Sequence, residues 1–279
     1  MKKLQEVILR NFAENEVEKK EISNDNFLKM FLDAKRIEGC SERTLNYYRT
    51  TVEHLISQIE TGVRKISTEE IREYLSNYQK RNSCSNVTID NIRRNISSFF
   101  SWLEEEDYIL KSPMKRIHKI KTKTVVKNII SDEGIEKLRD NCKEKRDLAI
   151  IDLLYSTGIR VGELVNLNIE DIDLEGRECI VYGKGDKERR VYFDAKAKVH
   201  LKEYIDARTD NNEALFVTLD EPHNRLKISG VEIRLRKMGR MLDLDRIHPH
   251  KFRRSMATRA IDKGMPIEQV QQLLGHQKI

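Results

Sequence analysis

The sequence has no long apolar run. Its longest apolar-rich stretch, Leu148 to Tyr155, is broken by Asp152 and falls far short of the roughly 20 residues a membrane-spanning helix needs. With 35% of 279 residues charged and 38% hydrophobic, a membrane protein is excluded. Nor is there a signal peptide, because Met1-Lys2-Lys3 has no apolar segment behind it. The four cysteines, Cys40, Cys84, Cys142 and Cys179, are scattered and form no CxxC pair, which argues against zinc sites and disulfide frameworks. No metal site, internal repeat or low-complexity segment is found. These absences together give a cytoplasmic protein.

The length suits two domains. Net charge is only +6, but its placement is informative. Lys111, Lys115, Arg116, Lys119, Lys121, Lys123 and Lys127 fall in one stretch with no acidic residue among them. Such a run suits a polyanion, most simply a phosphate backbone, although a solvated basic linker has the same composition.

The chain divides at that stretch. Residues 1–21 form a short leader. Residues 22–108 read as an all-helical domain. Phe27, Met30 and Phe31 share one face; Leu45, Tyr48, Val52, Leu55 and Ile59 recur at helical spacing. Ser67 with Glu70 makes a capping box ahead of Ile71, Tyr74, Leu75 and Tyr78. Ile89, Ile92, Ile96, Phe99, Phe100 and Leu103 mark a fourth stripe. Residues 109–127, with Pro113 and the lysines, read as a basic interdomain linker. Residues 128–279 form the second domain. Ser131 is placed to cap a helix, and Gly158 to end the helix of Leu148, Ile151, Leu154 and Tyr155. Cys179–Tyr182 and Arg190–Phe193 read as strands flanking a Gly183–Lys187 hairpin turn. Helices follow near 195–207, 229–242, 250–263 and 266–274. The expected fold class is mostly α with a small antiparallel β-sheet.

Four motifs in the second domain carry candidate chemistry. Thr157-Gly158-Ile159-Arg160-Val161-Gly162-Glu163-Leu164 puts a guanidinium just past a helix end, where it can face a phosphate or pair with Glu163. Lys184 lies between two glycines at a hairpin tip, free to reach outward. No helix with Gly-Lys-Ser/Thr follows, so this is not a nucleotide-binding P-loop. His250-Lys251-Phe252-Arg253 sets a titratable imidazole and a fixed guanidinium on one helical face, suited to a site that handles a phosphate and a proton together. Leu273-Leu274-Gly275-His276 places an imidazole just beyond a helix stop.

Each motif is ordinary alone; their order is not. Arg160, Lys184, His250-x-x-Arg253 and Leu-Gly-His276 together resemble the tyrosine recombinase (phage integrase) family, and the step from Arg160 to Lys184 is similar to that of its Xer-type members. Ser41-Glu42-Arg43-Thr44-Leu45-Asn46-Tyr47-Tyr48 likewise resembles the family's N-terminal core-binding domain. The resemblance covers roughly residues 22–279. It implies a helical, SAM-like core-binding domain over 22–108 and a mixed α+β catalytic domain over 128–279.

The resemblance also implies a chemistry. Family members attack a DNA phosphodiester with a tyrosine, forming a 3′-phosphotyrosyl bond and a free 5′-hydroxyl, without cofactor or metal. Carried onto this sequence, Arg160 and Arg253 hold the non-bridging oxygens and Lys184 protonates the departing 5′-oxygen. His250 acts as general base or as a phosphate hydrogen bond, and His276 donates to the phosphate. Glu163 orients the site. Arg43, Lys187, Arg254 and the basic stretch contact DNA. The implied partners are double-stranded DNA with inverted half-sites and further recombinase subunits in a synaptic tetramer, the protein being a monomer without DNA. A clamp of two domains around the duplex, and integration or excision of a mobile element, are further expectations. The leader is too short for a separate arm-binding domain.

One position departs from the pattern. The family's nucleophilic tyrosine follows the last motif histidine by about nine residues, and here only Gln277, Lys278 and Ile279 follow His276. The chain as given is therefore expected to bind DNA without cleaving it. A trimmed chain is the preferred explanation; natural truncation and a tyrosine supplied in trans are the others. The rival function is a catalytically inactive regulator that occupies recombination sites.

Overall fold

The computed structural model describes residues 22–123, 127–183 and 188–275. The chain divides into two compact units between Val125 and Val126. The fold is mostly helical, with one antiparallel sheet of three strands in the order β1-β2-β3. Among the described residues no helix is long and apolar enough to cross a membrane.

Among the described residues the first unit contains four α-helices, α1 (Asn24–Ile37), α2 (Glu42–Gln58), α3 (Thr68–Asn82) and α4 (Asn86–Glu105). A serine precedes each one. The hydroxyls of Ser23, Ser41, Ser67 and Ser85 accept from the N–H three residues on, which satisfies a donor that has no partner inside the helix. Ser67 and Glu70 complete the expected capping box, with Glu70 accepting from the Ser67 N–H at 2.8 Å. The apolar stripes meet in one core built around Phe31, Leu45, Leu55, Ile71, Ile96 and Phe99. The face expected for α1 is corrected at one position. Met30 is exposed, and Leu28 and Leu32 join Phe27 and Phe31 in the core, because 27, 28, 31 and 32 form the tighter stripe.

The basic stretch is anchored over much of its length. Met114 is buried in the helical core. Thr68 Oγ1 donates to the Pro113 carbonyl at 2.7 Å, the Ile120 N–H to Asp90 at 3.0 Å, and Asn86 to the Lys121 carbonyl at 3.0 Å. Residues 109–121 thus pack on α3 and α4, while Lys111, Arg116, Lys119, Lys121, Lys123 and Lys127 are exposed. Lys115 is exposed too, and pairs with Glu104.

The second unit is arranged around α6 (Lys145–Thr157), whose residues Ala149–Tyr155 are all buried. Before it lies α5 (Asp132–Asp140), capped by Ser131 as expected. After it come α7 (Val161–Asn166), β1 (Ile172–Asp173), β2 (Glu178–Tyr182) and β3 (Glu188–Tyr192). Then follow α8 (Ala195–Asp206), α9 (Ile228–Met241), α10 (Pro249–Asp262) and α11 (Ile267–Leu274). In the sheet, Cys179 pairs with Val191 and Val181 with Arg189. Strand β1 is a two-residue element, too short to show any period in the sequence. Gly158 ends α6 at φ +62°, and a Cβ there would lie 3.0 Å from Met256 and 3.2 Å from Leu274. Only glycine satisfies both the left-handed backbone and the close packing.

Candidate active site

The site grows out of the turn at Gly158. Buried Ile159 anchors the turn, and Arg160 follows as the N-cap of α7. Arginine has no short oxygen to cap with, and Glu163 supplies the reciprocal half of a capping box. It accepts from the Arg160 N–H at 2.7 Å and from Arg160 Nη1 at 2.8 Å. The same two carboxylate oxygens also accept from Arg189, Oε1 from Nη1 and Oε2 from Nη2, each at 2.7 Å. Burial pushes the Glu163 carboxyl up, but the bonds from Arg189 and Arg160 outweigh it and leave the group below the usual carboxylate range.

Arg253 enters from α10. Its side chain is buried and donates to the Gly158 carbonyl at 2.7 Å and to the Leu274 carbonyl. Burial, reinforced by the like charge of Arg160, brings its guanidinium down to about 10, so it stays charged at neutral pH. Arg160 reaches the Gly275 carbonyl at 3.2 Å and Arg189 the Leu273 carbonyl at 3.3 Å. Three consecutive carbonyls at the end of α11 therefore receive three different arginines. That end of a helix carries unpaired carbonyls and partial negative charge, which suits cations.

The arrangement brings Arg160, Glu163 and Arg253 together around one helix end. His250 stands one turn ahead of Arg253 on α10 and is exposed, its ring 6.5 Å from that of His248. The His248 imidazole is held below its ordinary range by burial and by the nearby Arg254 charge. Lys251, between the two motif residues, is buried and donates to the Asp245 carbonyl at 2.8 Å and to its carboxylate at 3.1 Å. Arg254 is half-buried, and its Nε has no hydrogen-bond partner among the described residues. Lys184, Lys187 and His276 lie outside the described residues. Arg43 is an exposed residue of α2, in the other unit. Among the described residues no group of His, Cys, Asp and Glu is arranged to hold a metal ion.

Sequence reasoning missed Arg189. The signal was available in the strand alternation. Glu188, Arg190 and Tyr192 point outward, so Arg189 takes an inward position beside Val191, and an inward arginine requires a buried acid.

Two family models match the chain. Residues 119–279 match the phage integrase family and residues 27–110 its N-terminal SAM-like domain. The chain belongs to the phage integrase family of tyrosine recombinases. The recombinase is 30% identical over 270 residues to the tyrosine recombinase XerC of Oceanobacillus iheyensis, covering 91% of this chain and 88% of that protein. It is 27% identical over 281 residues to XerC of Bacillus subtilis, at 91% and 89% coverage. Its fold matches the Tn1549 transposon integrase, solved in complex with a circular intermediate DNA, with a TM-score of 0.76 and 17% identity over 90% of this chain and 92% of that one. A lambda integrase dimer bound to a core site gives a TM-score of 0.74 at 18% identity, over 91% of this chain and 74% of that one.

Proposed function

We propose that this chain is the DNA-binding and phosphate-activating part of a site-specific recombinase that works by tyrosine transesterification. The convergence of Arg160 and Arg253 on one helix end, with His250 one turn away at the surface, carries the reading. Two guanidiniums held apart from each other by backbone carbonyls can grip two non-bridging oxygens of one phosphate. Charge that builds on those oxygens as the phosphorane forms is then met by donors already in place.

In this reading a tyrosine oxygen attacks phosphorus and the 5′-oxygen leaves, taking a proton from Lys184. His250 accepts the tyrosine's proton or bonds the phosphate, and His276 donates to the phosphate. Glu163 orients Arg160. The phosphotyrosyl bond keeps the energy of the broken ester, and a second strand's 5′-hydroxyl reverses the attack. The domain limits proposed are 22–108 for the core-binding domain and 128–279 for the catalytic domain. Arg43, Arg254, Lys187 and the exposed lysines from Lys111 to Lys127 supply backbone contacts, which hold the duplex without reading it. The substrate is duplex DNA with inverted half-sites, in the cytoplasm. Subunits are monomers in solution and form a synaptic tetramer on DNA. Insertion or excision of a mobile element is the proposed outcome.

A nicked suicide duplex carrying the cognate site tests this. It is offered to the chain and to a version extended past Ile279 through a tyrosine in the family register, and products are resolved on a denaturing gel. A covalent protein–DNA band with the extended version is the expected result. Tight site-specific binding with no band from either version would support a DNA-occupying regulator instead.

A further inference from the structure

We propose that Arg189 is a positioning residue that keeps Arg160 available to the scissile phosphate; the inference rests on the recombinase reading. Arg189 holds three segments of the second unit at once. It grips the turn of Arg160 and Glu163 through both carboxylate oxygens, at 2.7 Å each. It meets the end of α11 through the Leu273 carbonyl at 3.3 Å. Its side chain also lies close against Gly275, where a Cβ would stand 3.3 Å from its Cδ and Nε. The third segment is its own strand, β3, which begins four residues after Lys184 in the sequence.

The geometry argues against direct contact with substrate. The Arg189 side chain is 15% exposed against 35% for Arg160, and each of its three nitrogens already donates to protein. Its effect passes through Glu163. A buried carboxylate flanked by a single arginine draws that arginine into a two-pronged pair. Here Arg189 holds the two-pronged position, and Arg160 is left with one side-chain bond to Glu163, from Nη1 at 2.8 Å. Arg160 also gives one Nη2 hydrogen to the Gly275 carbonyl at 3.2 Å, and its other donors are thereby left to an incoming phosphate. Only a planar fork can compete in this way, so lysine is not an equivalent at position 189.

The test uses the extended chain in single-turnover trapping on the suicide duplex, with site affinity and thermal melting measured beside it. Arg189→Ala is expected to slow trapping about 10- to 100-fold, the range found when the outer partner of a metal ligand is removed, with site affinity unchanged. Arg189→Lys is expected not to restore the rate. A pH profile separates positioning from mere folding. Glu163 faces the guanidiniums of Arg160, Arg189 and Arg253 and the buried Cys179 thiol. Without Arg189, burial raises its proton affinity, so the Arg189→Ala rate should show a steeper acid limb than the parent. Adding Glu163→Gln should abolish that limb. If Arg189→Ala does not fold, Arg189→Gln carries the same expectations. A parent that traps normally beside an Arg189→Ala variant with parental rate and profile overturns the inference alone. So does a rate loss restored by lysine. A parent that forms no covalent band overturns the recombinase reading, and this inference with it.

Discussion

The two units begin their helices differently. In the first, all four described α-helices start at a serine whose hydroxyl closes the first turn. In the second, only α5 and α8 have such a cap, from Ser131 and Asp194. The N-caps of α7, α9 and α10 are Arg160, Lys227 and His248, basic residues at the end of a helix that repels positive charge. Burial follows the same division. The first unit buries only a few polar side chains, Thr51, Asp90, Asn95 and Ser112. The second buries Arg146, Asp147, Asp152, Glu163, Lys251 and Arg253, with ion partners for Asp147 from Arg146 and Arg234 and for Asp152 from Arg139. The helical unit follows local rules at the start of each described α-helix. The other departs from them where its arginines and histidines gather, and such departures mark sites where function overrides local preference.

Substitutions that act on one unit alone can break this contrast. The largest effect is expected at Arg253. Arg253→Ala in the extended chain should lower single-turnover trapping by about 10²–10³-fold, the cost of losing one preorganised donor. Duplex binding should persist, because the exposed lysines are untouched. A variant that traps at the parental rate would remove the chemistry from the second unit. Next is Phe99, fully buried in the helical core. Phe99→Ala should cost about 3–5 kcal/mol. Amide exchange should then accelerate across residues 22–121 and stay unchanged across 127–275; equal acceleration in both would show that the units fold as one. The smallest effect concerns the caps. Ser85→Ala should destabilise by about 1 kcal/mol in thermal melting. Lys227→Ala, at an N-cap with no side-chain bond, should stay within about 0.5 kcal/mol. A loss at Lys227 as large as at Ser85 would erase the distinction.

The same contrast explains what could be read from the sequence. The stripe from Ile89 to Leu103 gives α4 directly, and Ser67 with Glu70 gives the start of α3, because both signals are local. In the second unit the helix ends at Gly158 and Gly275 are legible for the same reason. Arg160 and Glu163 are legible as a pair three residues apart, and the structure joins them. For Arg189 the inward position is legible in the strand alternation but its partners are not, because they lie 26 and 84 residues away. The anchoring of the basic stretch is hidden likewise. Composition shows its charge, whereas its attachment depends on Thr68, Asn86 and Asp90, on helices earlier in the chain.

Arg253 holds a last consequence, in the valence of its side chain. A guanidinium carries five N–H hydrogens in one plane, and an ammonium three on a cone. Arg253 commits two hydrogens to the carbonyls of Gly158 and Leu274, which ties the start of one segment to the end of another. Three hydrogens remain beyond those two bonds. A lysine making the same two attachments would retain one, too few to span two oxygens of a phosphate. In the proposed recombinase reading, the position therefore suits a residue that braces the backbone and binds an anion at once.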